Sequence, residues 1–463
     1  MKHQLFFELL KTAIGQRKVL SAVPSAKEWE AIYGLLSKHT LLGIGYVAIQ
    51  KLPREQWPPK MLVLKWTSVA TAISHQNKTL NEECKSLCEE FRHDGVASVV
   101  IKGQSNLENY PEELRWYRTP GDIDLWCEAR NGVEIGEMVN GEVIKSEFHG
   151  IAGVIEYCKQ YERCRGRDIP WHRVLYYHCE LKSDKGIAIE PHYRISYLHS
   201  PIRNHQLQRW FMDQFDGCIH NKCLIGFPTL TSSVNVVYQL VHLYRHIFEN
   251  GIGLRQLMDY YFALRVWHND VMECKDLQSQ GMWSEGLGTS VMSNKEVMAV
   301  LRSFGMVKFA AAVMWVLNEV FVGGNDNENE NCPQMTQMDM DWCPQADSKG
   351  RQQEQLKTTF CPQADFEGEQ LLINDDRLMI NDCPWLLCEP NEKEGRKLLE
   401  EIMKGGNFGQ YDERGKEFKN GGMIKHGVWK LKRVMRLVRS YPEEALWEPV
   451  FRFYHLFWRM KMR

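Results

Sequence analysis

The sequence predicts an α/β fold in which a sheet-containing core lies between helical regions. From Gln4 to about His93, apolar residues recur at intervals of three and four, which is typical of amphipathic helices. The same spacing returns after Pro228. Between these stretches the chain has brief apolar runs that favour buried strands, at residues 96–101, 123–126 and 187–189.

Length and composition divide the chain further. Its 463 residues are enough for two or three domains. Residues 325–380 carry 12 acidic and 4 basic side chains, which predicts a flexible insertion of net charge −8. The predicted regions are an N-terminal helical region (1–90), an α/β core (91–228), a helical domain (229–324), the acidic insertion (325–380) and a C-terminal helical region (381–463).

The insertion also repeats the tripeptide Cys-Pro-Gln, starting at Cys332, Cys343 and Cys361. A solvated segment is one interpretation, and binding of a metal or a basic partner is the alternative. The 14 cysteines of the whole chain are scattered, and none of their close pairs has the two-residue gap of a zinc knuckle. We therefore expect reduced thiols.

Overall charge and the chain start argue against several protein classes. With 57 Lys and Arg against 59 Asp and Glu, the net charge of −2 gives no overall electrostatic reason to expect a nucleic-acid binder, although local patches are a separate matter. Glu8 and Lys11 interrupt the N-terminal apolar stretch, unlike a signal peptide. The most apolar window, residues 309–317, is shorter than the ~20 residues that cross a bilayer. We expect a cytoplasmic protein without a membrane span.

Residues 425–463 reverse the charge of the insertion, with ten Lys and Arg and three Glu, a net +7. In a helix, four basic residues fall on one side and three apolar residues on the other: Lys432, Arg433, Arg436 and Arg439 against Leu431, Val434 and Val438. The basic side is either a solvated helix face or a contact for an anionic partner, such as RNA, a nucleotide or a lipid headgroup.

The candidate catalytic residues lie at the predicted strands of the core. Asp122 and Asp124 alternate with Ile123 and Leu125, so in a strand both carboxylates project from one face. Like charges this close repel, and a hard divalent cation such as Mg²⁺ is the usual counterion. Glu190, at the end of a later predicted strand, is positioned to add a third carboxylate.

A phosphate site is predicted opposite these acids. Lys102 and Gly103 end a predicted strand, and Ser105 follows them. A helix that opens here presents free backbone N–H groups to a phosphate, and glycine permits close approach. Three carboxylates with a phosphate cradle are an arrangement for phosphoryl transfer.

Three neighbouring residues have two interpretations each. Lys102 contacts a triphosphate or forms a salt bridge with a core acid. Arg118 contacts a triphosphate or caps a loop. His192 shares a strand face with Glu190, so it orients the substrate or is a core histidine.

The helical region after Pro228 adds two pairs with four-residue spacing. His242 and His246 share a helix face, where we expect packing or nucleotide contact rather than zinc, since no acid of a zinc-protease motif lies between them. Arg255 and Asp259 are predicted to form an ion pair on one helix face.

These motifs together resemble the uncharacterised nucleotidyltransferase family, a branch of the polymerase-β-like superfamily that is common in bacteria. The resemblance covers roughly residues 30–270. It rests on Lys-Gly, Arg-x-x-Gly-Asp-Ile-Asp-Leu, Ile-Glu-Pro-His, and His-Leu-x-x-His followed by Gly-Leu-Arg-Gln-Leu-Met-Asp. It implies a bacterial protein with a polymerase-β-like nucleotidyltransferase core and a mixed sheet.

By match of motif, the resemblance also implies roles for individual residues. Asp122 and Asp124 would ligate two Mg²⁺ ions, with Mn²⁺ as an alternative, and Glu190 would be the third catalytic acid. Gly103 and Ser105 would contact the phosphates.

The function implied is the transfer of a nucleoside monophosphate from a nucleoside triphosphate such as ATP to an acceptor, with release of pyrophosphate. The acceptor stays open among an RNA end, a protein side chain, a small molecule and a sugar phosphate. The alternative is a non-catalytic binding or regulatory protein that has the same fold.

Overall fold

The computed structural model describes residues 3–139, 142–279, 291–323, 383–415 and 422–461. Residues 1–324 and 385–463 form one compact unit. The predicted acidic insertion and its Cys-Pro-Gln repeats lie outside the described residues. The helices are α1 (Gln4–Ala13), α2 (Ala26–Lys38), α3 (Leu42–Lys51), α4 (Lys60–His93), α5 (Glu112–Arg115), α6 (Gly150–Cys164), α7 (Pro201–His220), α8 (Ser232–Glu249), α9 (Leu254–Ser279), α10 (Asn294–Ser303), α11 (Val307–Leu317), α12 (Glu392–Gly405), α13 (Gly422–Leu437) and α14 (Pro442–Lys461).

A four-stranded mixed sheet confirms the predicted fold class. The strands of the sheet are β1 (Ala97–Val100), β2 (Ile123–Glu128), β5 (Leu181–Lys182) and β6 (Ala188–His192). Their order is β1-β2-β6-β5, with β2 parallel to β6 and the two outer pairs antiparallel. The three strand runs expected from the sequence correspond to β1, β2 and β6.

The two faces of β2 have different environments because side chains alternate along a strand. Ile123, Leu125 and Cys127 enter an apolar core shared with α4 and α6. On the opposite face, the Trp126 ring packs edge to face against Phe215 of α7, with centroids 4.8 Å apart. Asp124 projects from this second face, so it lies beneath the helices that follow the sheet in sequence.

Helix α4 connects the N-terminal helices to the sheet. Its apolar face at Leu80, Leu87 and Phe91 joins the core of the sheet. Nearer the N-terminus of the helix, the side-chain amide of Asn77 donates a hydrogen bond to the carbonyl oxygen of Arg118 at 2.8 Å. This helix therefore also holds the loop that leads into β2.

A hairpin was not expected from the sequence. Strands β3 (Val133–Val139) and β4 (Glu142–Phe148) pair with each other and form a separate two-stranded sheet. Val133 and Ile135 are buried and contact the main core. Their alternation with polar residues is too short to predict a strand from the sequence alone.

The basic face predicted for the C-terminal region is only partly correct. Arg433 is 8% exposed and its Nε donates to the carbonyl oxygen of Ile247 at 2.8 Å, because α13 packs this side against α8. Leu431, expected on the packed side, is 51% exposed. Lys432 and Arg439 are exposed as predicted.

Several cysteines of the described residues serve as small apolar core residues. Cys84, Cys127, Cys158 and Cys179 are buried in the core of the sheet. Within the same described ranges, every helix is either too short or too polar to pass through a bilayer.

Candidate active site

Two carboxylates meet at the centre of the sheet. Asp124 of β2 and Glu190 of β6 are register partners in the parallel pair, so their side chains project from the same face. Asp122 precedes β2 directly and, two positions before Asp124, shares its side of the extended chain. Asp124 is 1% exposed, whereas Asp122 is open to solvent. The structure thus brings together the three acids singled out in the sequence.

The pKa values show that these carboxylates interact. Asp122 reaches solvent but is partly desolvated by its neighbours, which raises its pKa, and repulsion from the Asp124 and Glu190 carboxylates raises it further. Burial would also raise the pKa of Glu190, but its hydrogen bond with His192 and the charge of Lys102 outweigh burial and lower it. Among the described residues, these three acids do not form a three-residue group with metal-binding geometry. Their carboxylate oxygens are nevertheless the kind of donor that suits a hard divalent cation such as Mg²⁺.

Lys102 compensates part of this negative charge. Its Nζ lies 2.9 Å from Oδ1 of Asp124. Burial alone would lower the pKa of Lys102, but attraction to Asp124 and Glu190 raises it overall, so the side chain is charged at neutral pH. Of the two interpretations offered by the sequence, the structure displays the salt bridge with a core acid.

A cleft opens beside Asp122 and Asp124, between the sheet and helices α8 and α9. It is bordered by side chains of both signs together with polar and aromatic groups: Lys102, Gly103, Asn106, Arg118, Gly121, Asp122, Asp124, Tyr238, Gln239, His242, Leu243, Arg255, Gln256, Asp259 and Phe408. A polar cleft next to a set of carboxylates is a candidate nucleotide site.

The turn after β1 forms one wall of this cleft. Gly103 has φ +68°, a conformation that L side chains rarely adopt, and it begins the 3₁₀-helix Gly103–Asn109. The Gln104 amide fastens the turn to α4 through two hydrogen bonds of 2.7 and 3.1 Å. Gly103 and Asn106 border the cleft, whereas Ser105 is 7% exposed and lies behind it.

Arg118 forms a buried, bidentate ion pair with Asp259 of α9. Its Nε and Nη2 lie 2.6 and 2.7 Å from the two carboxylate oxygens, and the Tyr110 hydroxyl donates to Oδ1 at 2.7 Å. The predicted pairing of Arg255 with Asp259 is therefore wrong, because the planar fork of Arg118 occupies both oxygens. Arg255 instead donates to the carbonyl oxygen of Thr119 at 3.0 Å. Burial and the charge of Arg118 lower the pKa of Arg255 to about 10.

Two histidines, His192 and His178, lie next to the carboxylates of the site. His192 Nε2 lies 3.0 Å from Asp124 Oδ1 and 3.5 Å from Glu190 Oε2. His178 forms an isolated β-bridge with His192, and its Nε2 lies 4.0 Å from Glu190 Oε1. The sequence predicts a role for His192 but gives no signal for His178, which has no motif around it and is brought to the acids by this bridge.

The histidine pair of α8 packs ring against ring, which is one of the two roles expected for it, and the other, nucleotide contact, stays a prediction. The His242 and His246 rings stack edge to face with centroids 4.3 Å apart. Burial lowers the pKa of both well below the usual histidine range, so both are neutral. His242 borders the cleft and His246 packs against Phe408. Among the described residues, neither belongs to a three-residue group with metal-binding geometry.

Comparison with known proteins supports the resemblance noted in the sequence. A family model described as an uncharacterised nucleotidyltransferase matches residues 25–281, more than half of the chain. No curated protein and no solved structure matches the chain. The matched range spans α2 to α9, and it contains the three carboxylates and both histidines that adjoin them.

Proposed function

Because this chain belongs to the uncharacterised nucleotidyltransferase family, we propose that it transfers a nucleoside monophosphate from a nucleoside triphosphate to an acceptor hydroxyl and releases pyrophosphate. The observation that carries the proposal is the register pairing of Asp124 with Glu190, which aligns acids that lie 66 positions apart in the chain. A pair of neighbouring carboxylates beside a polar cleft suits metal-assisted phosphoryl transfer.

The acids supply the ligands for divalent ions in this proposal. Asp122 and Asp124, with Glu190 as the third acid, would hold two Mg²⁺ ions, and Mn²⁺ has the same preference for carboxylate oxygen. When bound, such ions neutralise the triphosphate and stabilise the departing pyrophosphate.

The side chains of the site then have separate tasks. The acceptor hydroxyl gives its proton to a carboxylate oxygen of Asp124 or Glu190 and attacks the α-phosphorus in line. A new P–O bond forms as the bond to the β-phosphate oxygen breaks, and pyrophosphate leaves with the electron pair. Asp122, which is the open member of the set, faces the incoming triphosphate.

Phosphate contacts come from the opposite wall. Gly103 allows close approach of its backbone, Lys102 exchanges Asp124 for a phosphate oxygen, and Arg118 borders the same cleft. Ser105 and His192 support this wall and the acids respectively, since both are buried.

A non-catalytic binding protein is the second candidate. Lys102 Nζ and His192 Nε2 both lie within 3.0 Å of Asp124 Oδ1, so the acid is already compensated without an added cation. In this case the site would recognise no metal-bound triphosphate.

Titration calorimetry with ATP, GTP, CTP and UTP separates the two candidates. An enzyme binds at least one triphosphate in Mg²⁺ and loses most of that affinity in EDTA, because the ions bridge carboxylates and phosphates. Mass spectrometry of RNA, protein and small-molecule acceptors incubated with labelled triphosphates then identifies the donor and target from the added mass. Absence of metal-dependent binding for all four triphosphates contradicts the proposed transfer.

An anionic acceptor would suit the exposed part of the C-terminal basic region. Lys432 and Arg439 are exposed, whereas Arg433 is engaged with α8. Replacing Lys432 and Arg439 with Ala should lower the magnitude of the slope of log affinity against log salt for a single-stranded RNA by about 1.4, since each phosphate contact to a single strand contributes about 0.7 to this slope. The matched control replaces Lys60 and Lys85 of α4, which are also exposed. An equal change in both variants would count against this surface.

A further inference from the structure

His178 is a buried polar residue that the proposed transfer does not use. It is 3% exposed, and neither ring nitrogen has a hydrogen-bond partner among the described residues. Buried imidazoles normally donate one ring N–H and accept at the other nitrogen. The two ring nitrogens of His178 are therefore available to bind a ligand that is not part of the described chain.

The surroundings of His178 supply further ligand atoms. One atom each from His178, Glu190 and His192 lie within 4.8 Å of one another. The separations are 4.0 Å from His178 Nε2 to Glu190 Oε1 and 3.5 Å from His192 Nε2 to Glu190 Oε2. An ion with ligand bonds of about 2.0–2.1 Å keeps its ligand atoms about 3.0 Å apart in an octahedron and about 3.4 Å apart in a tetrahedron. Small side-chain rotations would close the remaining gap.

The donor type distinguishes this cluster from the acids at the mouth of the cleft. Carboxylate oxygens suit Mg²⁺, whereas imidazole nitrogens suit first-row transition metals. Metals bind the neutral form of imidazole, and the buried position of His178 disfavours the charged form. Two imidazoles and one carboxylate also leave positions open for water or a phosphate oxygen.

We propose that His178, Glu190 and His192 form a second cation position that takes a first-row transition metal such as Co²⁺, Ni²⁺ or Zn²⁺ in preference to Mg²⁺. The position shares Glu190 with the acid site, so any influence of this metal on catalysis rests on the proposed function. Binding of the metal itself does not depend on nucleotide transfer.

Cobalt absorption tests the site on the full-length protein after removal of metals with EDTA. Co²⁺ should bind saturably with a visible d–d spectrum that persists in a large excess of Mg²⁺, because nitrogen ligands favour cobalt. His178→Asn should weaken this binding at least tenfold, as the loss of a ligand exceeds the 10–100-fold cost typical of second-shell changes. His242→Asn removes a buried imidazole outside the cluster and should retain the spectrum.

The outcomes separate this inference from the proposed function. Asp122→Asn should keep the Co²⁺ spectrum while it loses transfer, since Asp122 is not part of the cluster. Displacement of Co²⁺ from the wild-type protein by Mg²⁺ would overturn the inference even if every variant folded poorly. Equal Co²⁺ affinity of wild type and folded His178→Asn would also overturn it, and would assign the metal to other ligands such as cysteines. If the protein bound Co²⁺ but showed no nucleotide transfer, the metal site would be supported and the proposed enzymatic function would be contradicted.

Discussion

Asp124→Asn is expected to reduce nucleotide transfer by about 10³-fold, equivalent to about 4 kcal/mol of transition-state stabilisation. Asp124 contacts two other predicted site residues through one oxygen: its Oδ1 lies 2.9 Å from Lys102 Nζ and 3.0 Å from His192 Nε2. Asparagine has the same shape and still accepts a hydrogen bond, but it lacks the charge that a divalent cation requires. The measurement is the single-turnover rate with the acceptor identified by mass spectrometry.

The matched control for this substitution is Glu128→Gln. Glu128 lies on the same strand and the same strand face, but its partner is Arg130 at 2.6 Å, away from the cleft. This variant should transfer nucleotide at the wild-type rate. If Asp124→Asn remained folded by circular dichroism and fully active, the assignment of the acid pair would be wrong.

Arg118→Met should lower the free energy of unfolding by about 3–5 kcal/mol, because it leaves the Asp259 carboxylate buried without its counterion. The side chains of both residues are at most 6% exposed, and two charged hydrogen bonds join them. Urea unfolding of the full chain, followed by tryptophan fluorescence, measures the loss. The Tyr110 hydroxyl is the partner that Asp259 would retain.

A double substitution tests whether Arg118 acts through this pair. Arg118→Met combined with Asp259→Leu removes both charges, so it should recover most of the lost stability, since buried ion pairs are often replaceable by apolar residues. Failure to recover would mean that Arg118 stabilises the fold through other contacts. Reduced triphosphate affinity in the stable double variant would support a phosphate contact for Arg118 in addition to its structural role.

The fold class and the acid pair were predictable because both depend on local periodicity. Alternation of Asp122 and Asp124 with Ile123 and Leu125 assigns the acids to one face of a strand wherever that strand lies. The Lys102-Gly103 turn is similarly local, since a positive φ needs glycine. The segment boundaries proposed at residues 90, 228, 324 and 380 stay predictions.

Predictions about partners were less successful, because helix spacing identifies only the neighbours on the same helix. Arg255 and Asp259 have ion-pair spacing, yet Asp259 binds Arg118, which is 141 positions away. Arg433 was assigned to a basic exposed face, but tertiary packing against α8 buried it. Residue spacing within one helix or strand also could not identify His178, because a β-bridge between separate segments brings it next to His192.

The sequence by itself determined which residue types could do chemistry and which strand face they share, since side-chain direction along a strand follows from backbone geometry alone. Only the tertiary structure decided that β2 lies parallel to β6 with Asp124 beside Glu190, and that Lys102, His192 and His178 surround them. Strand register and long-range ion pairs result from the packing of the whole core, and no local pattern encodes them.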